Sequence, residues 1–229
     1  MRALRFCIAH ACPRRMLRGQ GSTMDAPTRD FGARLSLRCY QLRIVQEAMQ
    51  CGNTLVILPT GSGKTLIAAE VARRVGAKVL FLVPTRLLVE QQAKAVREWT
   101  GMRVEEYMGD GRTLPHVFDV LVTTPKAFEI AQGRDASSCP SPTLGWDSFR
   151  LVIFDEVHHV LKDHPYRKMA HGICKLEAGK GVPQILGLTA SLTYAVGEKQ
   201  VEASVKSICE DLRIKKMSSA DMSELQAAG

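Results

Sequence analysis

A strand, a glycine-rich turn and a helix follow one another around the stretch Leu58-Pro59-Thr60-Gly61-Ser62-Gly63-Lys64-Thr65, and this order constrains the fold more than any other feature. A short apolar run, Thr54 to Leu58, precedes the turn. Apolar residues at helical spacing follow it, at Leu66, Ile67, Ala69, Val71 and Val75. Short apolar runs bounded by turn residues are typical of buried strands, and the later spacing is typical of a helix. The stretch therefore predicts a buried strand that passes through a tight turn directly into a helix.

This turn has the composition of a phosphate-binding loop. Gly61 and Gly63 allow the backbone to curl so that successive N–H groups point at one spot, where the following helix adds the positive end of its dipole. In this pattern Lys64 reaches the β- and γ-phosphates of a nucleotide, and the hydroxyl of Thr65 binds Mg²⁺. One position departs from the pattern, because Leu58 stands where a glycine is usual. A turn without a ligand is the simpler alternative, and the flanking strand, helix and Lys-Thr pair disfavour it.

The pair Asp155-Glu156 is a second candidate site, and it directly follows the apolar run Leu151 to Phe154. Parallel α/β sheets bind ligands at the carboxyl ends of their strands, where the glycine-rich turn also lies. At this edge of the sheet, two adjacent carboxylates can take different roles. Asp155 would hold Mg²⁺ through water, and Glu156 would orient and deprotonate an attacking water. With Lys64 they are the candidate catalytic residues, and a solvated acidic strand end is the disfavoured alternative.

Apolar runs that alternate with helical patterns indicate the fold class. Besides the strand before the turn, strands are predicted at residues 79–83, 104–108, 120–123, 151–154 and 184–188. This alternation predicts an α/β fold with a doubly wound, mainly parallel sheet and helices on both faces. The predicted folded domain covers residues 37–213, between a basic N-terminal tail at residues 1–36 and a polar C-terminal tail at residues 214–229.

The net charge of +8 comes mainly from the N-terminal tail. Residues 1–38 carry eight arginines against two aspartates, or +6, and the remaining 23 basic and 21 acidic residues give +2. The charge is therefore not evidence for nucleic-acid binding by the domain. The tail is predicted to be disordered, or to be an extension upstream of a start at Met24. An arginine-rich organelle-targeting segment is the alternative, which the lack of amphipathic periodicity disfavours.

Composition also restricts the compartment. No apolar run approaches the roughly 18 residues of a membrane span. The seven cysteines are scattered and include no CxxC pair, which predicts no disulfide-linked partner and a reducing compartment, either cytoplasm or nucleus. Neighbouring histidines, His158 and His159, could suggest zinc, but no cysteine has ligand spacing to them. A histidine just after the acidic pair more plausibly hydrogen-bonds the site to its surroundings.

Six short motifs follow one another along the chain: Tyr40-Gln41, Pro59–Thr65, Pro84-Thr85-Arg86, Thr123-Thr124-Pro125, Asp155–His158 and Thr189-Ala190-Ser191. Their order resembles the first RecA-like domain of a superfamily 2 helicase. Smaller features, including Tyr107-Met108-Gly109-Asp110 and His164-Pro165-Tyr166, resemble the Dicer and innate-immune RNA-sensor branch, whereas Pro84-Thr85-Arg86 with Gln91-Gln92 resembles the Fanconi-type DNA translocases. Val157 and Leu192 depart from the Dicer pattern.

The resemblance implies further roles. Gln41, helped by Arg38 and Tyr40, would recognise adenine. The backbone of one nucleic-acid strand would be held by Pro84, Thr85, Arg86, Thr123, Thr124 and Pro125. His158, Thr189, Ala190 and Ser191 would couple the nucleotide to the strand. Taken alone, residues 123–125 also fit an ordinary strand-to-helix turn, and residues 189–191 also fit a helix N-cap.

The resemblance implies an ATP- and Mg²⁺-binding, Dicer-like helicase domain that prefers duplex RNA to DNA. Its second RecA-like domain has no counterpart in this sequence, so the chain is expected to be a fragment or half of a split protein, paired with that domain in cis or in trans. Hydrolysis is then expected to be slow or absent without the partner domain. A Fanconi-type DNA translocase domain and a non-hydrolysing regulatory module are the alternatives.

Overall fold

A computed structural model describes residues 36–111, 113–133, 144–161, 165–176, 181–190 and 198–227, with residues 198–200 described by backbone alone. In this part of the chain seven strands form one sheet. They are β1 (Thr54–Ile57), β2 (Val79–Leu82), β3 (Val104–Tyr107), β4 (Val120–Thr123), β5 (Leu151–Phe154), β6 (Gln184–Thr189) and β7 (Lys216–Ser219). The strand order is β3-β4-β2-β5-β6-β1-β7, and every pair is parallel. The predicted α/β fold with a parallel sheet is confirmed.

Helices connect the strands. They are α1 (Cys39–Cys51), α2 (Lys64–Val75), α3 (Arg86–Thr100), α4 (Pro125–Ala131), α5 (Pro165–Cys174), α6 (Glu198–Asp211) and α7 (Met222–Gln226), with short 3-10 helices at Trp146–Ser148 and Val157–Leu161. Within the described ranges no helix is both long and apolar enough to cross a membrane.

Each face of the sheet has its own core, because successive side chains of a strand point to opposite faces. On β2, Phe81 packs in the core beneath α1, α2 and α3, whereas Leu80 and Leu82 pack in the core beneath α4, α5 and α6. On β5, Ile153 belongs to the first core and Phe154 to the second. Burial on both faces explains why these strands are continuous apolar runs rather than alternating ones.

The C-terminal residues differ from the predicted polar tail. Lys216–Ser219 pairs in parallel with β1 at the edge of the sheet, so β6 is not the last strand and the folded domain continues beyond residue 213. Polar side chains hold this strand, since the Ser218 hydroxyl donates to Glu47 at 2.6 Å. The guanidinium of Arg43 then binds Glu224 of α7 at 2.9 Å. An edge strand needs no continuous apolar run, which is why the sequence pattern missed it.

Two other predictions fall partly outside the described residues. Most of the predicted basic tail lies there, at residues 1–35, as do residues 134–143 of the stretch 133–147, whose Gly, Ser, Pro and Cys content predicts a surface loop. The described end of that loop contains the short helix at Trp146–Ser148, whose Trp146 ring packs at 4.9 Å from the ring of Phe128.

Candidate functional site

The parallel sheet brings the predicted motifs to one edge. Strands β1, β2, β4, β5 and β6 all point the same way, so the segments that follow them share the carboxyl edge of the sheet. The glycine-rich turn follows β1, residues 84–86 follow β2, residues 123–125 run from the end of β4 into α4, and the acidic pair follows β5. Ala190 follows β6, whereas Ser191 lies outside the described residues.

The glycine-rich turn requires both of its glycines. Gly61 and Gly63 have φ angles of 81° and 82°, in the left-handed region that side chains disfavour. A Cβ at Gly63 would also collide with the side-chain amide of Gln41. No hydrogen bond is found within the described residues for the backbone N–H groups of Gly61, Gly63, Lys64 and Thr65. A cluster of N–H donors at the start of α2 is suited to phosphate oxygens.

Lys64 lies across the base of this turn. Its ammonium donates to the carbonyl oxygens of Leu58 and Pro59 at 3.1 and 3.2 Å. Burial lowers the pKa of Lys64, and the carboxylates of Glu156 and Asp155 oppose that change, so the cation lies within electrostatic reach of the acidic pair. The structure also explains the departure at Leu58. This side chain is fully buried in the core, and its N–H donates to Thr189 at the end of β6.

Asp155 is buried and held by two neutral donors. One carboxylate oxygen accepts the backbone N–H of Glu156 at 3.1 Å, and the other accepts the side-chain amide of Gln92 at 3.1 Å. Burial, followed by the neighbouring charge of Glu156, raises the pKa of Asp155 from 3.8 to about 6. A buried carboxylate of this kind is stabilised by a nearby cation, which fits a place beside Mg²⁺.

Glu156 is oriented from three directions. Its φ of 47° is in the left-handed region, an uncommon conformation for a residue other than glycine and one that clusters at functional sites. Its carboxylate lies 3.3 Å from Nδ1 of His158 and accepts the backbone N–H of Ala190. The hydrogen bond from His158 is the main reason why the pKa of Glu156 is lowered. The lowered pKa favours the ionised form of Glu156.

His158 joins the acidic pair to β6. Its Nδ1 lies 3.2 Å from the hydroxyl of Thr189, and the ring is 8% exposed. Three of the four predicted coupling residues, His158, Thr189 and Ala190, thus meet around Glu156. Among the described residues no group of three or more His, Cys, Asp or Glu side chains could hold a metal ion. Thr65 and Asp155 offer one hydroxyl and one carboxylate, donors of the kind that a largely hydrated Mg²⁺ accepts, and their binding of the ion stays a prediction.

The predicted adenine-binding residues contact the glycine-rich turn. The Tyr40 hydroxyl and the Gln41 amide both donate to the Ser62 carbonyl, at 2.7 and 2.9 Å. The amide oxygen of Gln41 accepts the backbone N–H of Arg38 at 2.9 Å, so both ends of this amide bind protein atoms. Gln41 is 3% exposed. The structure thus places these residues beside the turn, and their contact with adenine stays a prediction.

The two segments predicted to contact a strand differ in exposure. Thr85 and Arg86 at the start of α3 are exposed. Thr123 is fully buried and donates to the carbonyl of Tyr107 at 2.6 Å, and the Thr124 hydroxyl caps α4 by accepting the N–H of Ala127. Pro125 is the buried first residue of α4. The side chains of residues 123–125 therefore take part in a strand-to-helix turn, and their contact with a nucleic-acid strand stays a prediction.

The sequence analysis named Gln92 and Tyr166 only as parts of family-like motifs and gave neither a place in the site. Gln92 binds Asp155, and the buried Tyr166 hydroxyl donates to the carbonyl of Leu82 at 2.9 Å, where β2 ends. A further signal for Gln92 is its polar side chain between the buried residues Val89 and Val96 of α3. His164, the neighbour of the Pro165-Tyr166 pair, lies outside the described residues.

Comparison with known proteins identifies the class. Residues 38–199 match the DEAD/DEAH box helicase family, and the chain belongs to that family. It is similar to Dicer homolog 2b of Oryza sativa subsp. japonica, with 33% identity over 181 residues that cover 69% of this chain. It is also similar to the endoribonuclease Dicer of Xenopus tropicalis, with 30% identity over 207 residues and 81% of this chain.

A third relative is the ATP-dependent RNA helicase DHX58 of Mus musculus, 33% identical over 172 residues and 69% of this chain. The chain spans only 13%, 10% and 25% of the lengths of these three proteins. These relatives confirm the resemblance to the Dicer and RNA-sensor branch, and they do so for a helicase region only. The activities of the full-length relatives can be extended to this chain only as proposals.

Proposed function

We propose that this chain is the ATP-binding, RecA-like domain of a Dicer-like RNA helicase or translocase, which binds Mg·ATP and one strand of a nucleic acid. The observation that carries the proposal is the proximity of Lys64 to Asp155 and Glu156 at the carboxyl edge of a parallel sheet, beside a glycine-rich turn whose N–H groups have no hydrogen bond within the described residues. This arrangement has the charge and the donors that a bound triphosphate requires.

Each part of the site has a chemical task in the proposal. The N–H groups of the turn bind phosphate oxygens, and Lys64 leaves the carbonyls of Leu58 and Pro59 to pair with the β- and γ-phosphates. Thr65 and Asp155 hold Mg²⁺, which would offset the negative charge of the phosphates. Glu156, kept ionised by His158 and Ala190, accepts a proton from the water that attacks the γ-phosphate.

Duplex RNA is the favoured nucleic acid. The names of the relatives include Dicer endoribonucleases and an ATP-dependent RNA helicase, and the exposed Thr85 and Arg86 offer a backbone contact at the sheet edge. The Fanconi-type DNA translocase remains the rival within the enzyme class. Stimulation of ATP hydrolysis by duplex RNA, compared with branched DNA of equal length, separates the two.

Turnover by these residues alone is proposed to be slow. Lys64, Thr65, Asp155 and Glu156 supply one wall of the site, and in related enzymes an arginine from a facing domain contributes roughly 10³–10⁵ to the rate. A second RecA-like domain, in cis or in trans, is the proposed source of that arginine. If the chain instead acts as a regulatory module, ATP binds and no hydrolysis appears even when that domain is supplied.

The first experiment is nucleotide binding by the wild type, Lys64→Ala and Lys94→Ala. Lys94 is a matched control because its side chain is 75% exposed on α3, away from the turn. Lys64→Ala is expected to lose most Mg·ATP affinity in calorimetry while its circular dichroism spectrum is unchanged. Lys94→Ala is expected to bind like the wild type. Equal affinity in all three proteins contradicts the proposed phosphate site.

A further inference from the structure

Gln92 makes a buried contact with the acidic pair from a helix that lies outside the nucleotide-binding turn. It lies on α3, is 8% exposed, and donates from Nε2 to a carboxylate oxygen of Asp155 at 3.1 Å. The other oxygen of Asp155 is held by the backbone N–H of Glu156. The two donors together fix the rotation of the Asp155 carboxylate, which otherwise turns broadly about its last bond.

The oxygen atom of the Gln92 amide argues against a purely structural role for this residue. Its Oε1 atom is buried and has no hydrogen-bond partner in the residues that the structure describes. A buried acceptor without a partner costs stability, whereas an apolar side chain of similar shape would not. Neighbouring inward positions of the same helix, Val89, Ala93 and Val96, are apolar and buried. Packing alone would favour an apolar residue at position 92 as well.

We infer that Gln92 is a positioning residue for the magnesium site, which holds the Asp155 carboxylate in the orientation that the hydrated ion requires. The inference rests on the proposed Mg·ATP function. It assigns Gln92 no contact with the nucleotide or the reacting water. Its one action is to donate a hydrogen bond to Asp155, and charged acceptors make such bonds stronger than neutral ones.

The position of Gln92 on α3 links the Asp155 carboxylate to the candidate strand contacts. The helix begins at Arg86, next to the exposed Thr85, and Gln92 is six residues later, about 9 Å along the axis. The same rigid element therefore carries the candidate strand contacts and the donor to Asp155. A displacement of α3 would change the Gln92–Asp155 distance directly.

The test measures the magnesium requirement of nucleotide binding by the wild type, Gln92→Met and Gln91→Met. Methionine keeps the length of the side chain and removes both polar atoms, and Gln91 is the exposed neighbour on the same helix. Mg²⁺ is titrated at a constant concentration of a fluorescent ATP analogue.

For Gln92→Met the half-saturating Mg²⁺ concentration is expected to rise roughly tenfold or more, because a hydrogen bond to a charged group is lost. The metal-free affinity for the analogue is expected not to fall, whereas the urea midpoint of unfolding is expected to fall modestly because a buried oxygen of Asp155 loses its donor. Gln91→Met is expected to match the wild type in every measurement.

An unchanged magnesium requirement in Gln92→Met overturns the inference, and so does an equal loss of affinity with and without magnesium, which indicates damage to the whole pocket. If the methionine variant fails to fold, Gln92→Asn replaces it. This variant keeps an amide but withdraws it by one methylene, and the same rise in the magnesium requirement is expected.

Failure of the proposed function would give a different result. Nucleotide binding by the wild type would then be absent or unaffected by Lys64→Ala, and this result overturns both proposals.

Discussion

Replacing Asp155 by Asn is expected to stabilise the ligand-free protein at neutral pH, although it removes a candidate magnesium ligand. Asp155 is 6% exposed, and its pKa is raised from 3.8 to about 6 by burial and by Glu156. Ionised Asp155 therefore lowers the free energy of unfolding of the ligand-free protein. A tenfold change in proton affinity corresponds to roughly 1.4 kcal/mol, so the cost at neutral pH is at most about 3 kcal/mol.

The substitution should keep one of the two hydrogen bonds of Asp155 and exchange the other. The amide oxygen of the new side chain can accept the N–H of Glu156, as Asp155 does at 3.1 Å. Its NH₂ group would face Gln92, whose Oε1 has no partner among the described residues and can turn to accept from it. The Nε2 donor of Gln92 then loses its acceptor. Because the shape is conserved, the change in stability reports the removed charge less the cost of that one donor, which does not depend on pH.

The pH dependence gives the sharper test. Because the folded-state pKa is raised, the cost is absent below about pH 4, grows between about pH 4 and pH 6, and is complete above that range. Urea unfolding without magnesium at about pH 4.5 and about pH 7.5 should show Asp155→Asn gaining stability over the wild type mainly at the higher pH. Glu90→Gln, at an exposed position of α3, is the control and should show no such gain. An Asp155→Asn variant that is less stable at the higher pH, or a gain that is equal at both, refutes the reasoning.

Two further predictions concern the nucleotide. Gln41→Ala should narrow the gap between ATP and GTP affinities in calorimetry, because an amide can donate to and accept from the adenine edge at once; an unchanged ratio would leave Gln41 only its contacts with Ser62 and Arg38. Phosphate release by residues 37–229 should be slow even with duplex RNA and should rise by roughly 10³–10⁵ when the matching second RecA-like domain is supplied. Glu156→Gln should abolish that rise without loss of ATP binding, and rapid RNA-stimulated release by these residues alone would contradict the prediction.

The sequence predicted the sheet well where burial on both faces demanded apolar runs. Strands β1, β2, β4, β5 and β6 are such runs, and the parallel order follows from the helices between them. The edge strand β7 was missed because its sequence, Lys-Met-Ser-Ser, lacks that signal. Its partners are β1 on one side and polar contacts, such as that of Ser218 with Glu47, on the other.

The sequence predicted those features of the candidate site that follow from the parallel order of the strands. The glycine-rich turn and the acidic pair each follow a buried strand, and parallel strands place their carboxyl ends together. Side-chain partners were not predictable in the same way. Gln92 and Asp155 are 63 positions apart in the sequence, and their contact depends on the rotation of α3 against β5. Nor does the sequence show whether Thr124 faces a ligand or caps its own helix, since a threonine before a helix suits both.

The acidic pair and the glycine-rich turn differ in how much each must rearrange to bind a ligand. Asp155 and Glu156 already have their orientations, and their negative charge favours the binding of a cation. On the side of the turn, the ammonium of Lys64 is engaged with two backbone carbonyls, and Gln41 has both ends of its amide occupied. Binding of a triphosphate must break the contacts of Lys64, and recognition of adenine must break those of Gln41. The free energy of these protein contacts is subtracted from the affinity for the nucleotide. Magnesium, which needs no such rearrangement of the acidic pair, can therefore contribute a large share of the net affinity.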